Sequence, residues 1–307
     1  MKSEQKFAFL IYNPKTAKNQ KNAEDFALIW ENKFKTKVTL RKTKSHEDIR
    51  VAAVEAAKSN SIPVFMGGDG TFSECLQGLS EYYKFQGIKT PVGMLPGGTG
   101  NSFLRDFDIL NYEQGRDRLI DAVSKNKAKK IDMGLIDYTF DNKNKKRIFF
   151  NVWGMGIISK ITERAIKMRF LGSFNYTMGT LIELLFHKPY TFETSIDNKT
   201  EIISCDFISI SNSRFTGGSM LMAPNVKVDD GRLHYVISKV ISSIKLLKLF
   251  PTIFKGDHIK NPNISSGFLK FFSLKTDKPI VMNIDGELES GSNPKVSIKP
   301  EFFSVYL

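Results

Sequence analysis

Val64-Phe65-Met66-Gly67-Gly68-Asp69-Gly70-Thr71-Phe72-Ser73-Glu74 is the stretch that decides the fold. An apolar, β-type run stops at two glycines, an acid, a third glycine and a threonine. Glu74, Leu76 and Leu79 then recur at helical spacing, which predicts a strand, a tight turn and a helix. Glycine lets main-chain N–H groups crowd round an anion, and the helix that follows adds the positive end of its dipole. The same order recurs at Pro91-Val92-Gly93-Met94-Leu95, closed by Pro96-Gly97-Gly98-Thr99-Gly100-Asn101. Two such loops of this length point to a phosphate cradle rather than to a pair of ordinary turns.

Outward from these loops the first part of the chain alternates strand and helix signals. Phe7 to Tyr12 is an apolar run ending in the turn dipeptide Asn13-Pro14. A helix with Phe26, Ile29 and Trp30 follows, then a short strand from Val38 to Leu40. Glu47 to Lys58 reads as a second helix capped by Ser45, leading into Ile62 to Met66. This alternation predicts an α/β domain with a parallel sheet, whose ligands sit at the carboxyl ends of its strands, where both glycine loops fall.

Beyond about Lys125 the pattern changes to short alternating runs separated by Asn, Asp, Gly and Lys: Ile131 to Ile136, Arg147 to Val152, Phe192 to Ile196, Glu201 to Ser211, Gly231 to Ser238, Pro279 to Ile284, Lys295 to Ile298 and Phe302 to Tyr306. These predict antiparallel strands. Two helices interrupt them, Ile157 to Phe186, broken near Gly172 and Gly179, and Ser242 to Phe254. The expected organisation is an α/β nucleotide-binding domain over 1–128 and a β-rich domain over 129–307, whose last strand is free to return to the first.

Composition narrows the function classes. The 307 residues are 41% hydrophobic with 25 Phe and 9 Tyr, which excludes disorder as the default. Cys75 and Cys205 lie far apart and the four His (46, 187, 234 and 258) form no convincing pair, so neither a disulfide scaffold nor a zinc module is expected. Cys75 reads as a small core residue. No apolar run approaches the ~20 residues needed to cross a bilayer, so a cytoplasmic protein with at most peripheral membrane contact is expected. Lys and Arg (45) exceed Asp and Glu (32) to give +13. That charge suits phosphorylated ligands or anionic lipid, but the basic residues are dispersed and lack the interleaved aromatics of an RNA-binding sheet, so nucleic acid is not an expected partner. The Ile157 to Phe186 region mixes Ile, Met, Phe and Leu with Lys160, Arg164, Lys167 and Arg169, a composition that suits plain core, an acyl-chain pocket or an anionic surface.

Neither loop fits GxGxxG, and GxxxxGK[ST] is absent, which excludes a dinucleotide fingerprint and the usual P-loop. Three blocks together resemble the catalytic-domain motifs of the diacylglycerol kinase and sphingosine kinase family: Phe9 to Lys15 around Asn13-Pro14, Val64 to Glu74, and Gly93 to Phe103. Gly217-Gly218, Ala223-Pro224, Asp229-Asp230-Gly231-Arg232-Leu233 and Asp285-Gly286-Glu287 continue the resemblance to near the end of the chain.

The resemblance implies an α/β domain and a β-sandwich with the active site in the cleft between them. It also implies an ATP-dependent lipid kinase using Mg²⁺, with diacylglycerol as first substrate and a sphingoid base or monoacylglycerol as the related alternatives. NAD kinase, which shares the GGDGT loop, is a more distant one, and a non-catalytic nucleotide- or lipid-binding module is the rival from another class. A homodimer is left open.

By the same resemblance Glu287 is the general base that takes the proton of the lipid hydroxyl. Asp69 places Mg²⁺. Gly67, Gly68, Asp69, Gly70, Thr71, Phe72 and Ser73 hold the nucleotide phosphates, joined by Asn13, Pro14, Lys15, Thr16 and Ala17 of the first turn and by Thr43 and Thr99. Asp230 binds a structural Mg²⁺ with the carbonyls of Lys227 and Arg232. Two positions depart from the pattern: Ser73 stands for the usual Asn, and Ser102 for an Asp of the metal and water network, to which Asp132 still matches and Asp106 is a substitute only if its helix faces the cleft.

Overall fold

The computed structural model describes residues 6–14, 17–98, 100–167, 182–184 and 188–307. The chain divides into two compact units, Met1–Ile131 with Glu301–Leu307, and Asp132–Pro300.

In the first unit, strands β1 (Ala8–Tyr12), β2 (Val38–Lys42), β3 (Ile62–Gly67) and β4 (Val92–Pro96) pair in parallel in the order β2-β1-β3-β4. β1 and β4 are buried at every residue and β3 at all but its first, so these strands read as continuous apolar runs; β2, at the edge, is largely exposed. The crossovers are helices α1 (Ala17–Phe34), α2 (His46–Lys58) and α3 (Asp69–Tyr82), followed by the short α4 (Ser102–Arg105) and α5 (Tyr112–Ser124). Ser45 caps α2 by accepting the Asp48 N–H. Phe26 and Trp30 of α1 and Leu119 and Val123 of α5 pack on Leu10, Val64 and Leu95. Helices α2 and α3 lie so close that a Cβ on Gly78 would stand 2.8 Å from the Arg50 Cα. Here the Arg50 guanidinium pairs with the buried Glu74 carboxylate.

In the second unit the strands are β5 (Lys129–Phe140, beginning in the first unit), β6 (Lys143–Phe149), β7 (Val152–Gly156), β8 (Tyr190–Ile196), β9 (Lys199–Ser211), a small ribbon β10 (Phe215–Thr216) and β11 (Met220–Leu221), β12 (Leu233–Lys239), β13 (Ile264–Leu269), β14 (Phe271–Lys275), β15 (Ile280–Ile284) and β16 (Glu287–Tyr306). Antiparallel pairings run through it in a circuit, β9-β8-β14-β16-β15-β7 and back to β9. The circuit closes because β9 and β16 change partners along their length. Trp153, Phe149, Ile208, Ile210, Phe272 and Met282 fill the inside, and Phe207 and Val236, on the other face, pack under α6 (Ile157–Lys167) and α7 (Ser243–Ile253).

Two sequence expectations need correction. Arg147 to Val152 is not one strand: it breaks after Phe149 because the N–H groups of Phe150, Asn151 and Val152 all turn to the Asp285 carboxylate. Lys295 to Ile298 and Phe302 to Tyr306 are one strand, β16, in which left-handed Asn293 (φ 52) and Glu301 (φ 49) supply bends beside Pro294 and Pro300 without ending it. Its end, Val305 and Tyr306, pairs in parallel with β4. Helix α6 is described as far as Lys167 and residues 182–184 are helical too, while the remainder of the long helix read from the sequence, including Gly172, Gly179 and Phe186, lies outside the described residues. Helix α5 and strands β13 and β14 escaped the sequence reading.

His234 of β12 and His258 of the 3-10 turn Asp257–Lys260 are both buried. Desolvation, helped by His258, lowers His234 to about 4 from an ordinary 6.5, and desolvation lowers His258 too. In the unfolded chain both take up protons below about 6.5, whereas folded His234 does so only near 4. Stability is therefore intact above 6.5 and declines as the pH falls from there towards 4. Urea midpoints measured between pH 7.5 and 4.5 should fall steadily, and His234→Gln should show a shallower decline.

Candidate active site

Parallel register brings the ends of four strands to one edge of the first unit. Tyr12 aligns with Lys42 and with Met66, Met66 with Leu95, and Gly67 with Pro96. The residues that follow, Thr43, Asn13, Gly68 and Gly97, are thereby neighbours in the order of the strands. Thr43 is buried and donates both its N–H (2.9 Å) and its hydroxyl (3.2 Å) to the Tyr12 carbonyl, tying the end of β2 to the end of β1. The Asn13 carbonyl accepts from Asn19 Nδ2 at 3.1 Å, which closes the turn into α1. Pro14 is exposed and Ala17 opens α1. Lys15, Thr16 and Thr99 lie outside the described residues.

The two glycine loops touch through bare backbone. Gly97 N–H donates to the Gly67 carbonyl at 2.8 Å, and a Cβ on Gly98 would meet the Gly68 Cα at 2.5 Å. Helix α3 begins at Asp69, with Gly68 as its cap, so Asp69-Gly70-Thr71 is its first turn rather than a free loop. The Asp69 carboxylate reaches across: Oδ2 accepts the Ser102 N–H at 2.8 Å and Oδ1 the Phe103 N–H at 3.2 Å. One side chain thus fixes the first loop to the second. Phe72 and Ser73 turn their side chains inward, and the Ser73 hydroxyl is buried without a hydrogen-bond partner among the described residues. Ser102 is buried, and Asp106 caps the C-terminal end of α4. Each Asp69 oxygen keeps a second lone pair, so the residue fits an Mg²⁺ that draws its other ligands from phosphate and water.

In the second unit Glu287 stands at the start of β16, half-buried and paired with Ile284 across a two-residue turn. Asp285 (φ 52) and Gly286 (φ 95) form this turn, the left-handed pair that a tight hairpin demands. It is anchored on both sides. The Asp285 carboxylate accepts three main-chain N–H groups, Phe150 at 3.0 Å and Asn151 and Val152 at 2.9 Å, while Asn283 Oδ1 accepts the Gly286 N–H at 2.8 Å and its Nδ2 donates to the Thr162 hydroxyl at 2.6 Å. Asn212 extends the anchorage by donating to the carbonyls of Asp132 (2.9 Å) and Phe150 (3.2 Å). The sequence reading passed over Asp285, Asn283 and Asn212; only the acid in Asp-Gly-Glu carried a signal.

The Asp229-Asp230-Gly231 turn is closed from the same network, since Asp132 Oδ2 accepts the Gly231 N–H at 2.6 Å and Asp132 N–H donates to the Val228 carbonyl at 2.8 Å. Asp230 Oδ1 accepts the Arg232 N–H at 3.1 Å and Oδ2 lies 3.4 Å from the Arg232 guanidinium, which sits over the Phe268 ring at 4.3 Å. Lys227 is exposed. No group of three His, Cys, Asp or Glu gathers as a metal site among the described residues. A hard cation here has one carboxylate, main-chain oxygens and water to draw on. That donor set fits Mg²⁺ with the Arg232 guanidinium swung away.

Residues 7–136 match the diacylglycerol kinase catalytic domain, and residues 151–307 the YegS C-terminal NAD kinase beta sandwich-like domain. The chain is 32% identical over 226 residues to a diacylglycerol kinase of Mycobacterium tuberculosis, covering 72% of this chain and 69% of that protein. A crystal structure of a candidate diacylglycerol kinase from Bacillus anthracis superposes with TM-score 0.78 at 20% identity, covering 100% of this chain and 98% of that one. Yeast NADH kinase complexed with NADH gives 0.54 at 10% identity, over 99% and 83%. The family matches and the curated relative place the chain among kinases of the lipid-kinase class. The chain belongs to the diacylglycerol kinase catalytic-domain family.

Gly98→Ala should force the two loops apart: nucleotide binding, followed with a fluorescent adenine nucleotide, should be lost and the urea midpoint should fall. Asp285→Ala leaves three amides without their acceptor and should cost roughly 3 kcal/mol or more of stability, read from denaturation.

Proposed function

We propose that this protein transfers the γ-phosphoryl group of ATP to the hydroxyl of a lipid, with diacylglycerol as acceptor and phosphatidic acid as product. The observation that supports this best is the meeting of two glycine turns, main chain against main chain, at the ends of adjacent parallel strands. Phosphoryl transfer asks a protein for positioning, charge neutralisation and a base, and little covalent chemistry. Gly67 to Ser73 and Thr99 hold the phosphates, Asn13 to Ala17 contribute Lys15 as a compact cation, and Thr43 lines the nucleotide. Asp69 holds Mg²⁺, which neutralises charge on the phosphate oxygens when bound. Asp230 with the carbonyls of Lys227 and Arg232 holds a second, structural Mg²⁺.

Glu287 serves as general base. The lipid O–H gives its proton to the Glu287 carboxylate, the oxygen forms a bond to the γ-phosphorus, and the bond from that phosphorus to the β-γ bridging oxygen breaks, releasing ADP. The anchorage of Asp285 and Asn283 suits this role, because a base must be held within reach of its proton. Ser102 leaves the chain one carboxylate short of the metal network of the family it resembles, in which Asp132 still matches an acid.

The purified protein should phosphorylate diacylglycerol from labelled ATP in preference to monoacylglycerol, sphingosine and NAD. Glu287→Gln should retain nucleotide binding and lose on the order of a hundredfold or more in turnover, the usual span of general base catalysis. Turnover of NAD alone, or a Glu287→Gln enzyme as fast as wild type, would refute this assignment.

A further inference from the structure

Helix α7 is apolar on two faces, and only one of them is covered. Leu246, Leu249 and Ile253 are buried against Phe207, Val236 and Ile264. On the opposite face Ile244 is 67% exposed, Leu247 37% and Phe254, just beyond the helix, 46%, with exposed Pro251 between them and Val240 (47%) leading in. At 100° per residue, positions 244, 247, 251 and 254 form one stripe along the helix. Lys245, Lys248 and Lys255 are exposed around it, and Lys245 and Lys248 have no ion-pair partner among the described residues. From Val240 to Lys255 the chain contains no Asp or Glu. The first acid beyond, Asp257, is paired with Lys260 at 2.7 Å.

An exposed large apolar side chain standing alone is ordinary, but a contiguous stripe on one helix is not. What covers it must be apolar where it meets Ile244, Leu247 and Phe254 and anionic where it meets the lysines. An interfacial helix has this construction, with an apolar face set among the acyl chains and lysines level with lipid phosphates. No helix among the described residues is long and apolar enough to cross a bilayer, and α7, at eleven residues, suits lying along its surface.

We propose that the outer face of α7 docks the protein on an anionic lipid bilayer, with Ile244, Leu247 and Phe254 inserted at the headgroup boundary and Lys245, Lys248 and Lys255 on the lipid phosphates. The purpose of this contact rests on the lipid-kinase reading; the contact itself does not.

The test is co-sedimentation of the full chain with vesicles of phosphatidylcholine alone or mixed with phosphatidylglycerol, in the absence of ATP. Wild type should sediment with the anionic vesicles, and added salt should release it. Lys245→Gln/Lys248→Gln/Lys255→Gln should weaken binding about a hundredfold, at roughly fivefold for each lysine near an anionic surface. Ile244→Ser/Phe254→Ser should weaken it at least tenfold. Both variants should keep the wild-type circular dichroism spectrum and the wild-type turnover of a water-soluble short-chain acceptor. Equal binding by wild type and variants, equal binding to neutral and anionic vesicles, or a wild-type dimer that Ile244→Ser/Phe254→Ser disperses without any vesicle binding would each overturn the proposal. Because binding is read without turnover, a protein that docks but phosphorylates no lipid refutes the activity and leaves the docking face standing.

Discussion

Asp69 and the glycines around it impose the constraint on which the first unit depends. Two loops can pack main chain to main chain only if neither carries a Cβ at the crossing, which is why Gly98 faces Gly68 with no room for a methyl group. The carboxylate then accepts two amides of the opposite loop at the start of α4. The pairing is charge-assisted and shared between two donors, so the distance between the ends of β3 and β4 is set by hydrogen bonds as well as by the sheet. The phosphate donors proposed here are main-chain groups, which cannot adjust by changing rotamer and so depend on this precision.

The second unit solves a related problem with a second aspartate. Asp285 gathers three successive amides, interrupts what would have been one long strand, and so creates the gap between β6 and β7 into which the hairpin carrying Glu287 is fastened. Asn283, Asn212 and Asp132 continue the same pattern, each joining a turn to a neighbouring strand end. Apart from the Asn283 bond to the Thr162 hydroxyl, the bonds named here are made to backbone groups. Their contribution is to hold Glu287 and the Asp230 turn in fixed positions.

Much of this was legible in the residues. Apolar runs ending in Asn-Pro or Gly-Gly locate β1, β3 and β4 within a residue or two, and Ser45 announces the start of α2. The β-rich half was legible as alternation but not as topology, because β9 and β16 each serve several partners and no local pattern says where a strand changes neighbour. Lys295 to Ile298 and Phe302 to Tyr306 read as two runs, whereas β16 continues through Pro300 with Glu301 left-handed. The role of Asp285 was hidden because its partners lie more than a hundred residues away in sequence. The exposed stripe on α7 was equally hidden, since a helix rich in Leu, Ile and Phe reads as core until one face is seen to be uncovered.

Strand β16 carries a consequence for how the protein is born. Residues 301–307 belong to the first compact unit, and Val305 and Tyr306 extend its parallel sheet beside β4. On the ribosome, the earlier part of that unit emerges with one flank of its sheet bare and stays so while the whole of the second unit is translated. The fold order is therefore not the reading order: the parallel sheet is finished last, and until then β4 is an edge that invites pairing with a neighbouring nascent chain.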